Sequence, residues 1–349
     1  MIPEDFWLRA SVMISDEALV HDAFRFLKSY EASNWTQFWK TLAYSATTSK
    51  SEIERQRYIC GCLAIACYPC IDNQEKQLTY EKLKTHYEHL CALEGYPLIT
   101  NKIQFEESLV PYTLRRCSNP KATILTIRGL DSSKEVRYWD ETILLKAGFN
   151  IVSIDLPGMA ENQMHMTSHS DSLFLALLNH LRQEEDLSTF IAWGLGFGGY
   201  WATRLMISSS LVIGCINQGG PIYYGFKPSL KKLVFNFSEV RFLGQMIQRA
   251  IGGKQSTRKF VASLPIKQKT IQKGIKQPYL YINGYKDKTA SHKDGDFLRE
   301  NIPHNIFSAI RIEDGGHLAI DRLDDMVIPG ILSWLEHLAI PAMPEPKLA

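Results

Sequence analysis

The pentapeptide GLGFG, residues 194–198, joins a segment with the composition of a strand to a segment with helical spacing. The preceding residues 189–193 are β-branched or aromatic at every position except Ala192, whereas apolar residues recur at nearly helical intervals over residues 200–208. A strand that turns into a helix over small residues is typical of a nucleophile elbow, which lifts one side chain above the edge of a sheet. That position is Gly196, which has no side chain to attack a carbonyl. The sequence therefore predicts an elbow without its nucleophile.

Two other glycine motifs fit this segment less well. A phosphate-binding loop requires a lysine and then a serine or threonine after its last glycine, where this chain has Tyr200 and Trp201. Gly194, Gly196 and Gly199 have the spacing of a dinucleotide fingerprint. The acidic residue expected about twenty positions later is absent. A nucleotide site is therefore the weaker interpretation, and the sequence predicts no cofactor.

An acid and a histidine follow the elbow, each after a predicted strand. Residues 278–282 form a short apolar run that leads through a glycine to Asp287, and residues 307–312 lead through two glycines to His317. Taken alone, each residue is an ordinary turn aspartate or exposed histidine. The chain order of elbow, acid and histidine matches that of an esterase-type triad. We therefore predict that Asp287 orients His317 and that His317 is the catalytic base.

An oxyanion hole requires one N–H group after the nucleophile and another from the loop that follows an early strand. The early strand is predicted over residues 121–129, and the loop GLDSSKE covers residues 129–135. The main chains of Leu130 and Phe197 are therefore the predicted donors.

These residues resemble the α/β-hydrolase superfamily. The loop GLDSSKE and the segment IDLPGM, residues 154–159, are similar to the branch of FrsA-like proteins, dihydroxypseudooxynicotine hydrolases and fungal hydrolases that shorten polyketide pigment precursors. The resemblance covers about residues 106–340, and the helical N-terminus more loosely. It implies the α/β-hydrolase fold, an N-terminal helical region, and cleavage of ester or carbon–carbon bonds next to a ketone.

Hydrolytic members of this branch have serine where this chain has Gly196, although FrsA-like proteins also depart from serine there. Three interpretations remain open. Glycine is an engineered replacement of a serine, or the chain performs chemistry that needs only His317 and the oxyanion hole, such as a retro-Claisen cleavage by water, an elimination or a cyclisation. The third is a silent ligand-binding protein. Retention of Asp287 and His317 favours an enzyme.

From residue 106 onward strands and helices alternate, which predicts a mostly parallel sheet covered by helices on both faces. The predicted organisation is a helical N-terminal region (1–105), a first part of the hydrolase core (106–220), an inserted helical cap (221–276) and a second part of the core (277–349). We predict strands and helices at the following residues: strands 121–129, 149–155 and 189–194, and helices 133–147 and 170–185. Asp131, Ser132 or Ser133 is interpreted as the N-cap of the first of these helices.

The predicted cap is rich in aromatic residues. We expect the following side chains to line it: Tyr223, Tyr224, Phe226, Phe235, Phe237 and Phe242. Tyr223 and Tyr224 are the predicted substrate-binding residues. With the resemblance, they favour an aromatic or polyketide-like substrate, while the alternative is that these rings form the cap's own core. The helical N-terminal region is expected to be half of a lid or, in a homodimer, a subunit contact.

Composition limits the other function classes. The chain has 349 residues, 45% of them hydrophobic, and a net charge of +2, which gives no case for a nucleic-acid partner. The basic residues from Lys227 to Arg258 are interpreted as a solvated helix face. Apolar runs are too short to span a membrane. An odd count of seven cysteines and the lack of a signal-peptide pattern predict a cytoplasmic location.

Four cysteines lie close together at Cys60, Cys62, Cys67 and Cys70. The last two have a spacing seen in zinc sites. The first two would point to different faces of a helix, and the run CGCLAIAC, residues 60–67, is typical of a small apolar helix. We therefore predict that these cysteines pack as hydrophobic residues and that the chain binds no metal.

Overall fold

The computed structural model describes residues 4–27, 34–45, 51–227, 238–253 and 256–340. One sheet of eight strands lies at its centre. The strands are β1 (Ile99–Phe105), β2 (Ser108–Arg115), β3 (Ala122–Ile127), β4 (Phe149–Ile154), β5 (Phe190–Leu195), β6 (Val212–Gln218), β7 (Tyr279–Gly284) and β8 (Phe307–Ile312). Their order is β1-β2-β4-β3-β5-β6-β7-β8. Strand β2 is antiparallel to both of its neighbours, β1 and β4, and the six strands β3–β8 pair in parallel with one another, which confirms the predicted mostly parallel sheet.

Helices cover both faces of this sheet. They are α1 (Glu4–Ile14), α2 (Glu17–Leu27), α3 (Trp35–Ser45), α4 (Glu52–Ala66), α5 (Gln74–Leu93), α6 (Thr142–Lys146), α7 (Asp171–Glu184), α8 (Phe197–Ser208), α9 (Ser238–Ala250), α10 (Thr257–Ser263), α11 (Gln268–Gly274), α12 (Lys293–Asn301) and α13 (Ile328–Glu336). Central strands such as β5 are buried at every position, because both of their faces meet helices. Successive side chains of β3 enter different apolar layers: Ile124 packs in one and Leu125 in the other. No helix within the described ranges is long and apolar enough to cross a membrane.

The sheet begins earlier than the sequence predicts. Strand β1 starts at Ile99, inside the segment 1–105 that was assigned to the helical region, and pairs with β2 as an antiparallel edge. Most of its side chains are exposed. An exposed edge strand with few apolar positions gives a weak periodic signal, which explains why the helical assignment extended over it.

The helix predicted over 133–147 is shorter than expected, because only α6 forms there, after Glu141. The N–H of Lys134 donates to the buried carboxylate of Asp155 at 2.7 Å, which is a tertiary contact in place of a helical one. The expected N-cap is also wrong, since the carboxylate of Asp131 accepts from Arg9 Nη2 at 2.8 Å. These contacts hold residues 129–135 as a loop with turns at residues 130–131 and 134–135.

The N-terminal helices contact this loop and the segment after β4 through polar groups. Tyr80 of α5 donates its hydroxyl to Glu135 at 2.8 Å, and Lys84 of the same helix lies 2.7 Å from Glu161. The ammonium of Lys134 also contacts Glu161, and it is 3.1 Å from Asp155. The helical region is therefore joined to the loop that follows β3 by charged and hydrogen-bonded contacts.

The segment between β6 and β7 contains a short 3-10 turn (Tyr224–Phe226) followed by α9, α10 and α11. We call residues 221–276 the cap. Phe235 and Phe237, two of the predicted lining residues, lie outside the described part of the chain.

Close backbone contacts explain the small residues of the elbow. A Cβ built on Gly198 would lie 2.0 Å from the carbonyl oxygen of Ile127, at the end of β3. We expect Gly198→Ala to lower the free energy of unfolding by about 3 kcal/mol, because a main-chain oxygen cannot move aside without shifting the strand. Urea unfolding would measure this.

Gly244→Ala is the matched control for this substitution. Gly244 lies inside α9, and a Cβ built there meets no atom within 4 Å. Alanine there should raise the stability by up to about 1 kcal/mol, since glycine is a poor helix former. Equal unfolding midpoints for Gly198→Ala and the unaltered chain would contradict the steric argument.

Candidate active site

Gly196 lies at the turn between β5 and α8, with φ of 55° and ψ of −125°. Its N–H donates to the carbonyl of Gln218 at 2.8 Å, and its carbonyl accepts from Gly199 N at 2.9 Å. The turn is thus fixed by the neighbouring strand and by the first turn of the helix. A residue with a Cβ is strained at this φ, while glycine is not.

His317 faces this turn. A Cβ built on Gly196 would lie 3.4 Å from His317 Nε2. His317 Nδ1 is 2.8 Å from Asp287 Oδ2. The structure therefore brings together the three predicted positions, Gly196, Asp287 and His317, at the carboxyl end of the parallel strands.

The carboxylate of Asp287 is completely buried and fully hydrogen-bonded. Its Oδ1 accepts from the N–H groups of Thr289 at 2.6 Å and Ala290 at 2.9 Å. Burial raises the pKa of Asp287, but His317 and these hydrogen bonds more than offset it and hold the pKa below the usual value. An ionised Asp287 accepts from Nδ1–H of His317, so the lone pair of the imidazole lies on Nε2, which faces Gly196. This is the tautomer that a general base requires.

The loop that carries His317 is held in an uncommon conformation. Leu318 and Ala319 follow the histidine with φ values of 64° and 51°. The buried side chain of Gln218 donates to Leu318 O at 2.8 Å and accepts from Trp193 Nε1 at 3.1 Å. Sequence reasoning missed Gln218, although a polar residue at the end of an apolar strand was a signal for it. It links the elbow strand to the histidine loop.

Leu130 and Phe197, the predicted oxyanion donors, both border the same cavity as Gly196 and His317. Phe197 is the first residue of α8, whose N–H has no acceptor within its own helix. Over the described ranges, neither N–H donates to a main-chain carbonyl. The positive end of the helix adds a favourable field for an anion at this point.

The cavity in front of these groups has a volume of about 790 Å³. Its walls are mainly apolar and come largely from the cap. The apolar side chains from the cap are Pro221, Phe226, Phe242, Leu243, Ile247, Val261, Ala262 and Pro265. Arg9 of α1 also reaches it, a contact that sequence reasoning missed and for which the chain gives no local signal. Lys227 and Arg258 line it as well, so these two are not simply part of a solvated helix face.

Tyr223 and Tyr224, the predicted substrate-binding residues, do not line this cavity. Their main-chain N–H groups donate to Asp294 Oδ1 at 2.8 and 2.7 Å. This carboxylate turns the segment so that both rings pack on Phe297 of α12, with the Tyr223 ring stacked on it at 4.9 Å. The neighbouring Phe226 faces the cavity in their place.

The cysteines of α4 are packed in the apolar core, where Cys60, Cys62 and Cys67 are buried. Burial raises the pKa of Cys67 to about 12, so its thiol stays protonated. A protonated thiol is a poor metal ligand. Among the described residues no group of three or more His, Cys, Asp or Glu side chains is arranged for a metal ion.

Residues 7–236 match the family described as Esterase FrsA-like. The chain belongs to the FrsA-like esterase family. The match includes the elbow and ends before Asp287 and His317, so the assignment of those two residues depends on the geometry above. As a member of an esterase family with this fold, the FrsA-like chain is a hydrolase of the α/β-hydrolase class.

Solved structures share the fold of this FrsA-like chain. AbyA5 wild type is similar over 96% of this chain and 95% of its own, with 16% identity and a TM-score of 0.78. The 2,6-dihydroxy-pseudo-oxynicotine hydrolase is similar over 89% of this chain and 88% of its own, with 14% identity and a TM-score of 0.68. The esterase Pf2001 of Pyrococcus furiosus covers 71% of this chain and 94% of its own, with 16% identity and a TM-score of 0.55. No curated protein sequence matches the chain.

Proposed function

We propose that this chain cleaves an ester, or a carbon–carbon bond next to a ketone, without a covalent intermediate. His317 Nε2 takes a proton from a water molecule, whose oxygen bonds to the substrate carbonyl carbon. The N–H groups of Leu130 and Phe197 stabilise the resulting oxyanion. The tetrahedral intermediate then collapses, and His317 returns the proton to the departing alkoxide or carbanion.

The proposal rests mainly on one distance. The position that a Cβ at residue 196 would occupy is 3.4 Å from His317 Nε2. Because glycine has no side chain, a water molecule at the place of the serine hydroxyl would be within hydrogen-bond reach of this nitrogen. Asp287 holds the imidazole in the tautomer that accepts a proton there. The base and the oxyanion donors are therefore arranged for attack by water.

The cavity supports an aromatic or polyketide-like substrate. Its volume of about 790 Å³ is in the range of small-molecule sites. Rings of Phe197, Phe226 and Phe242 lie among its apolar walls. Such walls favour a flat apolar ligand with a few polar groups.

A second function, elimination or cyclisation, uses the same groups. His317 Nε2 would remove a proton from the carbon next to a substrate carbonyl, and the N–H groups of Leu130 and Phe197 would stabilise the enolate. In an elimination, the enolate forms a carbon–carbon double bond and expels a carboxylate. The missing side chain at Gly196 favours this alternative, because the step requires a base and no nucleophile.

Substitutions at position 196 test the proposal. Gly196→Ser should restore a nucleophile beside His317, so a serine-directed fluorophosphonate should label this variant and leave the unaltered chain unlabelled. Because the residue has φ of 55°, we expect the serine to cost about 1–3 kcal/mol of unfolding free energy. Labelling measured by intact mass, and urea unfolding, would record the two effects. No labelling of the serine variant would contradict the assigned elbow geometry.

Gly196→Ala is the matched control, because it adds the Cβ with no hydroxyl. The methyl group would occupy the place of the attacking water, so turnover of aryl esters and aryl ketones should fall. Reactions of a β-acyloxy ketone in ¹⁸O-labelled water separate the two functions, since hydrolysis places one label in the carboxylic acid product and elimination places none. Full activity of the alanine variant, with no label incorporated, would overturn attack by water and favour elimination. No turnover by any form would favour a ligand-binding protein.

A further inference from the structure

Charge is distributed very unevenly along this chain. The cap, residues 221–276, contains twelve lysines and arginines and a single acidic residue, Glu239, which gives it a formal charge of +11. The whole chain has a net charge of +2, so the other 293 residues carry −9. A segment of this size with one acidic residue differs from an ordinary surface, in which both signs are interspersed.

Some of this charge lies at the cavity. Lys227 and Arg258 of the cap line it, and Lys288, next to Asp287 in the chain, adds a further cation. Among the described lining residues the only acidic side chain is Asp131, and it is bound to Arg9 at 2.8 Å. The cavity lining therefore has a net positive charge, although its walls are mainly apolar.

Lys227 and Arg258 have no carboxylate partner within the described residues. The ammonium of Lys227 lies 3.9 Å from the centre of the Tyr223 ring, a cation–π contact that leaves its charge uncompensated. Arg258 is exposed on α10 and is one of the residues that line the cavity. Arginine presents a planar set of donors that matches the oxygens of a carboxylate or phosphate.

We infer that the substrate carries an oxyanion, a carboxylate or a phosphate, and that Lys227 and Arg258 bind it at the cap side of the cavity. This inference rests on the proposed function, since it assumes that the reacting carbonyl lies at His317. The apolar walls between the two ends would hold the body of the substrate. Cations above apolar, low-dielectric walls strengthen the electrostatic field at this end of the cavity. The field raises the local concentration of a substrate that carries an oxyanion.

Binding of aryl ketones tests this inference independently of turnover. The probes are 4-acetylbenzoate, 4-acetylphenyl phosphate and the neutral methyl 4-acetylbenzoate, each titrated by tryptophan fluorescence into the full chain carrying His317→Ala. We expect the anionic probes to bind about 10- to 100-fold more tightly than the neutral ester at low salt, and the difference to shrink as salt is added. The stronger of the two anions identifies carboxylate or phosphate as the natural group.

The double substitution Lys227→Gln and Arg258→Gln should remove most of this preference while leaving the affinity for the neutral ester unchanged. Lys269→Gln with Lys273→Gln is the matched control, since it removes the same charge from exposed positions of α11 that do not line the cavity. Equal affinity of the unsubstituted cavity for all three probes would overturn the inference. So would an equal loss in both double variants, because the field of the whole cap would then be responsible. Absence of turnover in the chain without substitutions, with the anion preference retained, would contradict only the proposed function.

Discussion

Replacing His317 with alanine is expected to lower kcat/KM by about 10²–10⁴-fold, the usual contribution of a positioned general base. The reason is geometric: Nε2 faces the position of the missing side chain at Gly196, and Asp287 fixes the ring from the other side at 2.8 Å. No second nucleophile at the elbow would preserve part of the rate. Steady-state rates with the aryl esters and ketones would measure the loss, and fluorescence titration should show that the ligand still binds.

His337→Ala is the control for this substitution, since His337 is exposed just after α13 and its Nδ1 lies 2.7 Å from Ser333 O of that helix. It should leave the rate unchanged. Asp287→Asn should reduce the rate to a similar extent as His317→Ala, because the amide would favour the wrong tautomer of the imidazole. An unchanged rate in His317→Ala would exclude both functions proposed for this site.

The largest effect on stability is expected at Glu141, which is buried between β2, β3 and the first turn of α6. Its carboxylate lies 3.2 Å from Arg115, 3.1 Å from Arg128 and 3.0 Å from the hydroxyl of Tyr87. Both guanidinium groups are almost completely buried. Glu141→Ala should therefore lower the free energy of unfolding by about 3–5 kcal/mol, because it removes the carboxylate partner of the buried Arg128 and leaves Arg115 with Glu94 at 2.8 Å. Thermal and urea unfolding would measure this loss.

Glu52→Ala is the control, because the Glu52–Arg55 pair is exposed on α4 and should contribute little to stability. A loss in Glu141→Ala no larger than in this control would contradict the argument.

Unfolding measured over a series of pH values gives a second test of Glu141. Burial raises the pKa of Glu141, but the guanidinium groups of Arg137, Arg128 and Arg115 lower it below its usual value. A lowered pKa stabilises the fold above the unfolded pKa of about 4.3, and this stability is lost as the pH falls below it. Glu141→Gln should remove that part of the acid sensitivity.

Local sequence patterns were sufficient to predict the parts of the site that directly follow strands. The elbow, Asp287 and His317 each come after an apolar run, and the carboxyl ends of parallel strands meet at one edge of a sheet. A sequence that shows strand, small residues and helix therefore indicates both a turn and its position. This is why Gly196, Asp287 and His317 lie close together, whereas nothing in the same patterns specified the charge of the cavity.

The features that local sequence patterns failed to predict depend on tertiary contacts. The direction of Tyr223 and Tyr224 depends on Asp294, which lies 70 residues later in the chain. The short α6 depends on Asp155, and the place of Arg9 depends on how α1 packs against the core. In each case, a polar group forms a hydrogen bond with a partner far away in the sequence. The periodicity of apolar residues carries no information about such a pairing.

The contacts between the N-terminal helices and the loop after β3 have a consequence for how the protein is made. Arg9 and Tyr80 leave the ribosome well before Asp131 and Glu135, the partners they bind in the finished structure. Synthesis runs from the N-terminus, so these helices emerge before the segment that carries their polar partners. A chain shortened to the sheet alone would lack Arg9 and Tyr80, the partners that hold the loop that presents Leu130.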